Sequence, residues 1–373
     1  MAKRKNKKKS LSSFFLGLIF LFIISAGYYV YNEYLSKKDD PNNGLVAVGE
    51  ISFHFMMLGN EEAGDCTYIK AGDNDILIDA GSNYDSVDEI KSYIDNYVTD
   101  GVIEYLIVTH AHLDHIACLA GDSKNESLFD LYEFSTIIDF PKSNSISGVY
   151  NRYKEKRQQE IDDGNTAYYT ALQCYNNENG AKRSYNLTDN GNVKFEILYN
   201  YFYENKTSNE NDYSVCVMFY HGTRQFLFTG DLEERGEQKL VDKYDFTKID
   251  MFKAGHHGST TASNTILLKE IKPKIVVVPC IAGSVQYSQT FANTFPTQEV
   301  IDRLAEHESL IYAPAYVDVK HNGKEYVNDG DCKLLNGNIV VVSEAEKGVY
   351  VNCSNNNIPL QETQWFKDNR TWS

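Results

Sequence analysis

The chain has 373 residues, 42% hydrophobic and 24% charged, the composition of a globular protein with room for one large domain or two. Its net charge of −16 is uneven: residues 1–38 hold eight basic groups against Glu33, which leaves 28 basic and 51 acidic residues, a net of −23, for the rest. A body of that charge repels polyanions unless metal ions or a local basic patch intervene.

The basic tail of residues 1–10 runs into Leu11–Tyr31, 21 residues without a charge. About 20 apolar residues span a bilayer as a helix, and lysines before them predict a cytoplasmic start with the remainder outside. The expectation is a single-pass, membrane-anchored protein. The alternative is secretion after signal cleavage, near Ser25-Ala26-Gly27. Residues 32–46 then form a polar, turn-rich spacer. The first strand, Ile51–Leu58, contains His54, which reads as a core residue. Strands at 66–70 and 75–79 form a hairpin, and helical spacing of Val87, Ile90, Ile94 and Tyr97 predicts a helix over 86–98. Residues 105–109 are a strand buried on both faces.

From 120 to about 210 the pattern is irregular, with short strands at 136–140 and 193–198 and a charged helix at 149–162. This stretch reads equally as a substrate-facing cap or as padding of the fold. A hairpin at 214–220 and 225–229, strands at 249–253 and 275–279, and a helix at 298–306 follow. Two sets of strands flanked by helices suit two sheets packed face to face with helices outside. Seven cysteines include no C-x-x-C pair; only Cys332 and Cys353, flanking a C-terminal hairpin, are placed to bridge. No arginine-rich or aromatic–basic run offers a nucleic-acid strand a path.

Four ligand-type side chains, His110, His112, Asp114 and His115, follow the buried strand within six positions. Imidazoles with a carboxylate suit borderline divalent metals, zinc first. Asp231 and His256 each follow a strand and a small residue in the same way. A carboxylate between two metals can bridge them, and the ions activate water as a nucleophile. His256 directly follows Gly255, so it is the expected ligand of its pair, with His257 pointing away to line the pocket.

HAHLDH at 110–115 resembles the H-x-H-x-D-H signature of the metallo-β-lactamase superfamily. The flanking motifs are similar to the lactamase-like domain of ComEC-type competence proteins. They run in order through Gly64-Asp65-Cys66, LIDAG at 77–81, NDYSV at 211–215, FLFTGD at 226–231 and FKAGHHGSTTAS at 252–263. The resemblance implies an α/β (α+β) four-layer αββα sandwich over 47–325, with an insertion at about 120–210, one transmembrane helix before it and a C-terminal hairpin and tail at 326–373. It also implies two zinc ions, or manganese, with His110 and His112 on one, Asp114 and His115 on the other, Asp231 bridging and His256 completing the second. Asp79 would brace the ligand loop. NDYSV stands where many relatives carry a further His ligand, which places Asn211 beside the first metal. Asp114, Asp231, His257 and Lys253 are the candidate catalytic residues, and Lys253, Ser259 and Ser263 the candidates to contact phosphate.

The expected activity is phosphodiester hydrolysis, with DNA or another phosphodiester as substrate and no defined protein partner. Alternatives are a hydrolase of small esters, lactones or lactams on the same metals, and a non-catalytic surface binding module.

Overall fold

The computed structural model describes residues 50–288 and 290–372. The basic tail, the apolar stretch Leu11–Tyr31 and the spacer lie outside the described residues. Among the described residues no helix is long and apolar enough to cross a membrane.

Strands β1 (Ile51–Phe55), β2 (Thr67–Ala71), β3 (Asn74–Ile78), β4 (Val102–Ile107), β5 (Glu133–Asp139) and β6 (Ala167–Thr170) come first in the chain. The second set is β7 (Ser184–Asn186), β8 (Val193–Leu198), β9 (Cys216–His221), β10 (Arg224–Phe228), β11 (Met251–Lys253), β12 (Ile275–Val277) and β13 (Leu310–Tyr312). Strands β14 (Ile339–Glu344) and β15 (Gly348–Cys353) return to the first set. One eight-stranded sheet runs β15-β14-β1-β2-β3-β4-β5-β6, and a seven-stranded sheet runs β13-β12-β11-β10-β9-β8-β7. Each sheet is antiparallel at one side and parallel at the other: β3 to β6 and β10 to β13 are the parallel portions.

Period-two side-chain alternation explains how the sheets meet. From β1, Phe53 reaches across to Phe219, Phe226 and Phe228, at ring separations of 5.4, 4.6 and 5.8 Å. His54, one residue on, points the opposite way and hydrogen-bonds Tyr93 of helix α1 (Val87–Ile94) at 2.7 Å. Burial lowers its pKa to about 3, so it is a neutral core residue. In β10, Phe226 and Phe228 join the core between the sheets, while Leu227 faces the outer core with Leu240, Leu268 and Val300. Those three belong to helices α4 (Glu234–Lys243), α5 (Thr265–Ile271) and α6 (Gln298–Ala305), so helices cover the outer side of each sheet. The chain is thus a mixed α/β fold with two main sheets sharing one core.

Of the two readings of residues 120–210, the structure favours part of the fold over a separate cap: they supply β5 to β8, which extend both sheets, and helix α3 (Gly148–Asp162). Residues beyond 325 include the β14–β15 hairpin, and it is integral to the first sheet, because β14 pairs with β1 in register from Ile51↔Ser343 to Phe55↔Ile339. Cys353 ends β15, whereas Cys332 lies against the Asn60 carbonyl at 3.9 Å, and both are free thiols. The bridge that the sequence allowed between them is therefore not formed in this structure.

The parallel strands of both sheets deliver their C-terminal ends to one place, where α/β sheets ordinarily bind ligands. β3 and β4 run in register to Ile78↔Ile107, and β10 and β11 to Leu227↔Phe252. The residues that follow are Asp79, Thr109-His110, Asp231 and Ala254 to His257. A hydrogen bond of 3.0 Å from the Val215 amide to the Thr109 carbonyl ties the sheets together there. Gly81 admits the close approach of this loop to helix α2 (Leu113–Ala120): a Cβ on it would lie 2.3 Å from the Asp114 carbonyl.

Candidate metal centre

Asp231 lies at the middle of the cluster, 1% exposed. Its Oδ2 is 3.1 Å from His115 Nε2, 3.5 Å from His257 Nε2 and 3.9 Å from His110 Nε2. His110 Nε2 and His112 Nδ1 are 3.0 Å apart, so one ion could reach both. Asp114 Oδ2 is 3.3 Å from His257 Nε2. Donor atoms of His110, His115 and Asp231 converge within 4.8 Å, as do those of Asp114, His115 and His257.

The orientation of each ring is set from behind. Asp79, held at φ 57°, accepts from the Thr109 amide and hydroxyl, both at 2.7 Å, and from His115 Nδ1 at 2.8 Å. That bond takes the His115 proton on Nδ1 and aims Nε2 at Asp231. His257 Nδ1 lies 3.1 Å from the Pro279 carbonyl, which likewise turns its Nε2 inward. Two acceptor-type atoms facing each other at hydrogen-bond range need a proton or a cation between them.

The donor set fits a divalent metal on an observation independent of any motif. His257 Nε2 is buried and has no hydrogen-bond partner, although it faces two carboxylates. Asp65, Asp79, Asp114 and Asp231 surround the histidines, and the one buried lysine among them is Lys253. Burial works against charge on His257, but Asp231 and then Asp65 hold its pKa up at about 10. His115 is raised for the same reason by Asp231 and Asp79 against its burial. Burial would lift Asp231, yet His115 and His257 hold it well below the usual carboxylate range. His110 is shifted the other way, held neutral by its burial and by His115 beside it. Carboxylates that favour positive charge at His115 and His257, next to a neutral imidazole donor, make a setting that cations would occupy.

Two assignments are corrected by geometry. His257, not His256, turns into the carboxylates. His256 and His257 sit at φ 47° and 52°, consecutive left-handed residues that reverse the alternation an extended chain would give. Such backbone is strained by about 1–3 kcal/mol per residue. It is held by Ser263 Oγ, which accepts from the Gly255 amide at 3.1 Å, and by buried Glu237, which accepts from the Ser263 and Asn264 amides. His256 is left at the rim, its ring 25% exposed, with Nδ1 2.8 Å from Thr261 Oγ1. Lys253, expected at a strand end within reach of phosphate, is instead enclosed behind the cluster. It is 3% exposed, forms an ion pair with Asp65, and donates to the Gly230 carbonyl at 3.3 Å.

Asn211 lies beside His256, donating to Glu233 at 2.9 Å, with its own Oδ1 buried and unpartnered. Ser259 bonds Thr261 at 3.2 Å near the same rim, and Ser263 is fully buried. Two residues were not foreseen as part of the site. Asp65 carried a signal, the Gly-Asp motif, but was not read as facing the histidines. Tyr287 carried none: its hydroxyl donates to Asp114 Oδ2 at 2.7 Å from a loop 173 residues away, and its ring stacks on Phe295.

The profile described as "Metallo-beta-lactamase superfamily" matches residues 59–121 and 209–282, the two segments that carry this cluster. The chain matches the metallo-beta-lactamase superfamily. It has that superfamily's metal-dependent hydrolase fold. The unmatched interval, 122–208, is largely the stretch that extends both sheets. The chain is 30% identical over 71 residues to "ComE operon protein 3" of Bacillus subtilis, covering 19% of this chain and 9% of that protein. It is 32% identical over 107 residues to "Competence protein ComA" of Neisseria gonorrhoeae, covering 28% and 14%. The match therefore takes in a small part of each curated relative. Among solved structures, the Bacillus subtilis metallo-beta-lactamase fold protein YhfI aligns at 14% identity and a TM-score of 0.39, over 70% of this chain and 85% of that one.

The pair at 256–257 gives a direct check. His257→Ala should bind less than half the zinc or manganese that wild type retains after dialysis, whereas His256→Ala should match wild type, by elemental analysis of the folded proteins. The opposite order would return the ligand role to His256.

Proposed function

We propose that this chain hydrolyses phosphodiesters of nucleic acid with two bound metal ions, zinc or manganese. The observation that carries the reading is the orphaned, inward-facing Nε2 of His257 within reach of both Asp114 and Asp231. The partial likeness to a protein named for competence supports nucleic acid as the substrate class. His110 and His112 would hold one ion, Asp114, His115 and His257 the other, with Asp231 between them. Bound there, the ions supply a nucleophile from water at neutral pH and stabilise negative charge on the substrate oxygen.

The protein's own groups do the positioning. Asp79 fixes His115 in one tautomer, and Thr109 fixes Asp79. Lys253 neutralises Asp65 behind the cluster, so the charge left for the ions is carried by Asp231 and Asp114. Tyr287 holds Asp114 from the solvent side with a half-exposed ring, and is placed to meet a bound substrate.

Asp231→Ala should lower turnover of bis(p-nitrophenyl) phosphate and of DNA by at least ~100-fold, because it removes the carboxylate proposed to lie between the two ions. Wild-type cleavage of lactams or lactones with no cleavage of either phosphodiester would contradict the reading.

We also propose that Leu11–Tyr31 tethers the domain outside the cell membrane, on the strength of its uncharged length and the lysines before it. Protease added to intact cells should remove the body and leave a short N-terminal fragment. Recovery of the body from the medium, starting near Tyr28, would instead mark a cleaved signal.

A further inference from the structure

A body with a net charge of −23 is a poor partner for nucleic acid, and no linear run of basic and aromatic residues relieves this. Folding assembles one from four separate segments. On α4, Arg235, Lys239 and Lys243 are spaced i, i+4, i+8, which lines them along a single face at about 6 Å intervals. Each lies over an aromatic ring contributed by the segment after β8 or by the helix at 171–176. Arg235 is 5.1 Å from the Phe202 ring centre, Lys239 5.7 Å from Tyr201, and Lys243 5.0 Å from Tyr199 and 5.6 Å from Tyr175. Arg183 continues the row, 4.7 Å over Tyr175, whose ring lies 5.0 Å from that of Tyr199.

The acids that meet this row are few. Glu204 accepts from the Tyr199 hydroxyl at 2.6 Å, Asp242 pairs with Lys239 at 3.3 Å, and Asp212 lies within electrostatic reach of Arg235. The four cations still outnumber these three acids, on a molecule whose net charge is negative. Arg235 and Lys243 are exposed, and Tyr175, Tyr199 and Tyr201 are half-buried, so cations and ring edges are both available to a ligand. The row also leads somewhere. Its Arg235 end is four residues beyond Asp231, and the intervening Glu233 bonds Asn211 and lies 3.5 Å from His256 at the rim of the metal centre.

We infer that the row Arg183–Lys243–Lys239–Arg235 is a track for single-stranded nucleic acid leading to the metal centre. The cations take phosphates, and the half-buried tyrosine edges between them, with the guanidinium planes of Arg183 and Arg235, give unpaired bases surfaces to pack on without reading their sequence. A duplex offers no unpaired bases to those rings. The destination of the track rests on the phosphodiesterase reading; the binding does not.

The test is fluorescence anisotropy of the full-length protein with a labelled oligothymidylate across a salt series. The comparison is the fourfold variant Arg183→Gln, Arg235→Gln, Lys239→Gln, Lys243→Gln, checked for an unchanged melting transition. The variant should bind at least ~10-fold more weakly at low salt, and its slope of log affinity on log salt should be shallower by roughly 3, since each phosphate contact to a single strand contributes about 0.7. Its turnover of bis(p-nitrophenyl) phosphate should equal wild type, because that substrate is too small to reach the row. Equal binding by wild type and variant, or equal competition by duplex DNA or polyglutamate, overturns the track. If wild type cleaves the small diester and yet binds the oligonucleotide no better than the variant, the track fails and the reaction stands. If no diester is cleaved while the cation-dependent binding persists, the reaction fails and the track stands.

Discussion

The structure depends on compensating negative charge in a dry place. Asp65, Asp79 and Asp231 are buried where strands of both sheets deliver their ends, and Asp114 joins them from the first turn of α2 with its side chain 16% exposed. An isolated buried carboxylate is too unfavourable to persist ionised, so each must find a cation, a donor or a proton. Lys253 answers for Asp65, and the Thr109 amide and hydroxyl with His115 answer for Asp79. Asp231 and Asp114 have imidazole nitrogens as their near neighbours, and those nitrogens are themselves natural metal donors. The fold thus concentrates charge that only protons or metal ions can balance, and the superfamily is one of metal-dependent hydrolases.

The rest of the architecture serves to keep that cluster fixed. The sheets are joined through phenylalanines, and the hydrogen bond between Val215 and Thr109 sits beside the ligands. Strained backbone appears at Asp79, His256 and His257, where side chains must be aimed against the direction that strand or helix geometry would give them. Such strain persists only where the surroundings over-determine it. Here buried Glu237 and Ser263 pin the 255–258 turn from the α4 side. One helix therefore both secures the second histidine pair from its buried face and carries the exposed cationic row.

Much of this was legible in the sequence. The apolar runs at 76–78 and 105–107 became interior parallel strands because every residue in them could be buried, and HAHLDH had to emerge at their ends. The helix expected over 86–98 was visible in its periodicity and forms at Val87–Ile94. The directions within Gly255-His256-His257 were not legible, since they depend on two left-handed residues that neither histidine announces. Lys253 looked like a strand-end cation; its burial follows from Asp65, 188 residues away. Tyr287 and the Arg183–Lys243 row arise only when distant segments are brought together. The edge strands from 133 to 198 were too short and polar to be recognised as parts of two large sheets.

The central claim is that metal ions sit between Asp231 and the histidines around it. Anomalous diffraction from crystals of the full-length protein grown with zinc or manganese, recorded at the absorption edge of the added metal, tests it most directly. The account predicts anomalous peaks on either side of Asp231, one bonded to His110 and His112, the other to Asp114, His115 and His257 Nε2. Crystals with metal added but no peak within bonding distance of Asp231, or with His256 as the ligand and His257 turned away, would contradict it.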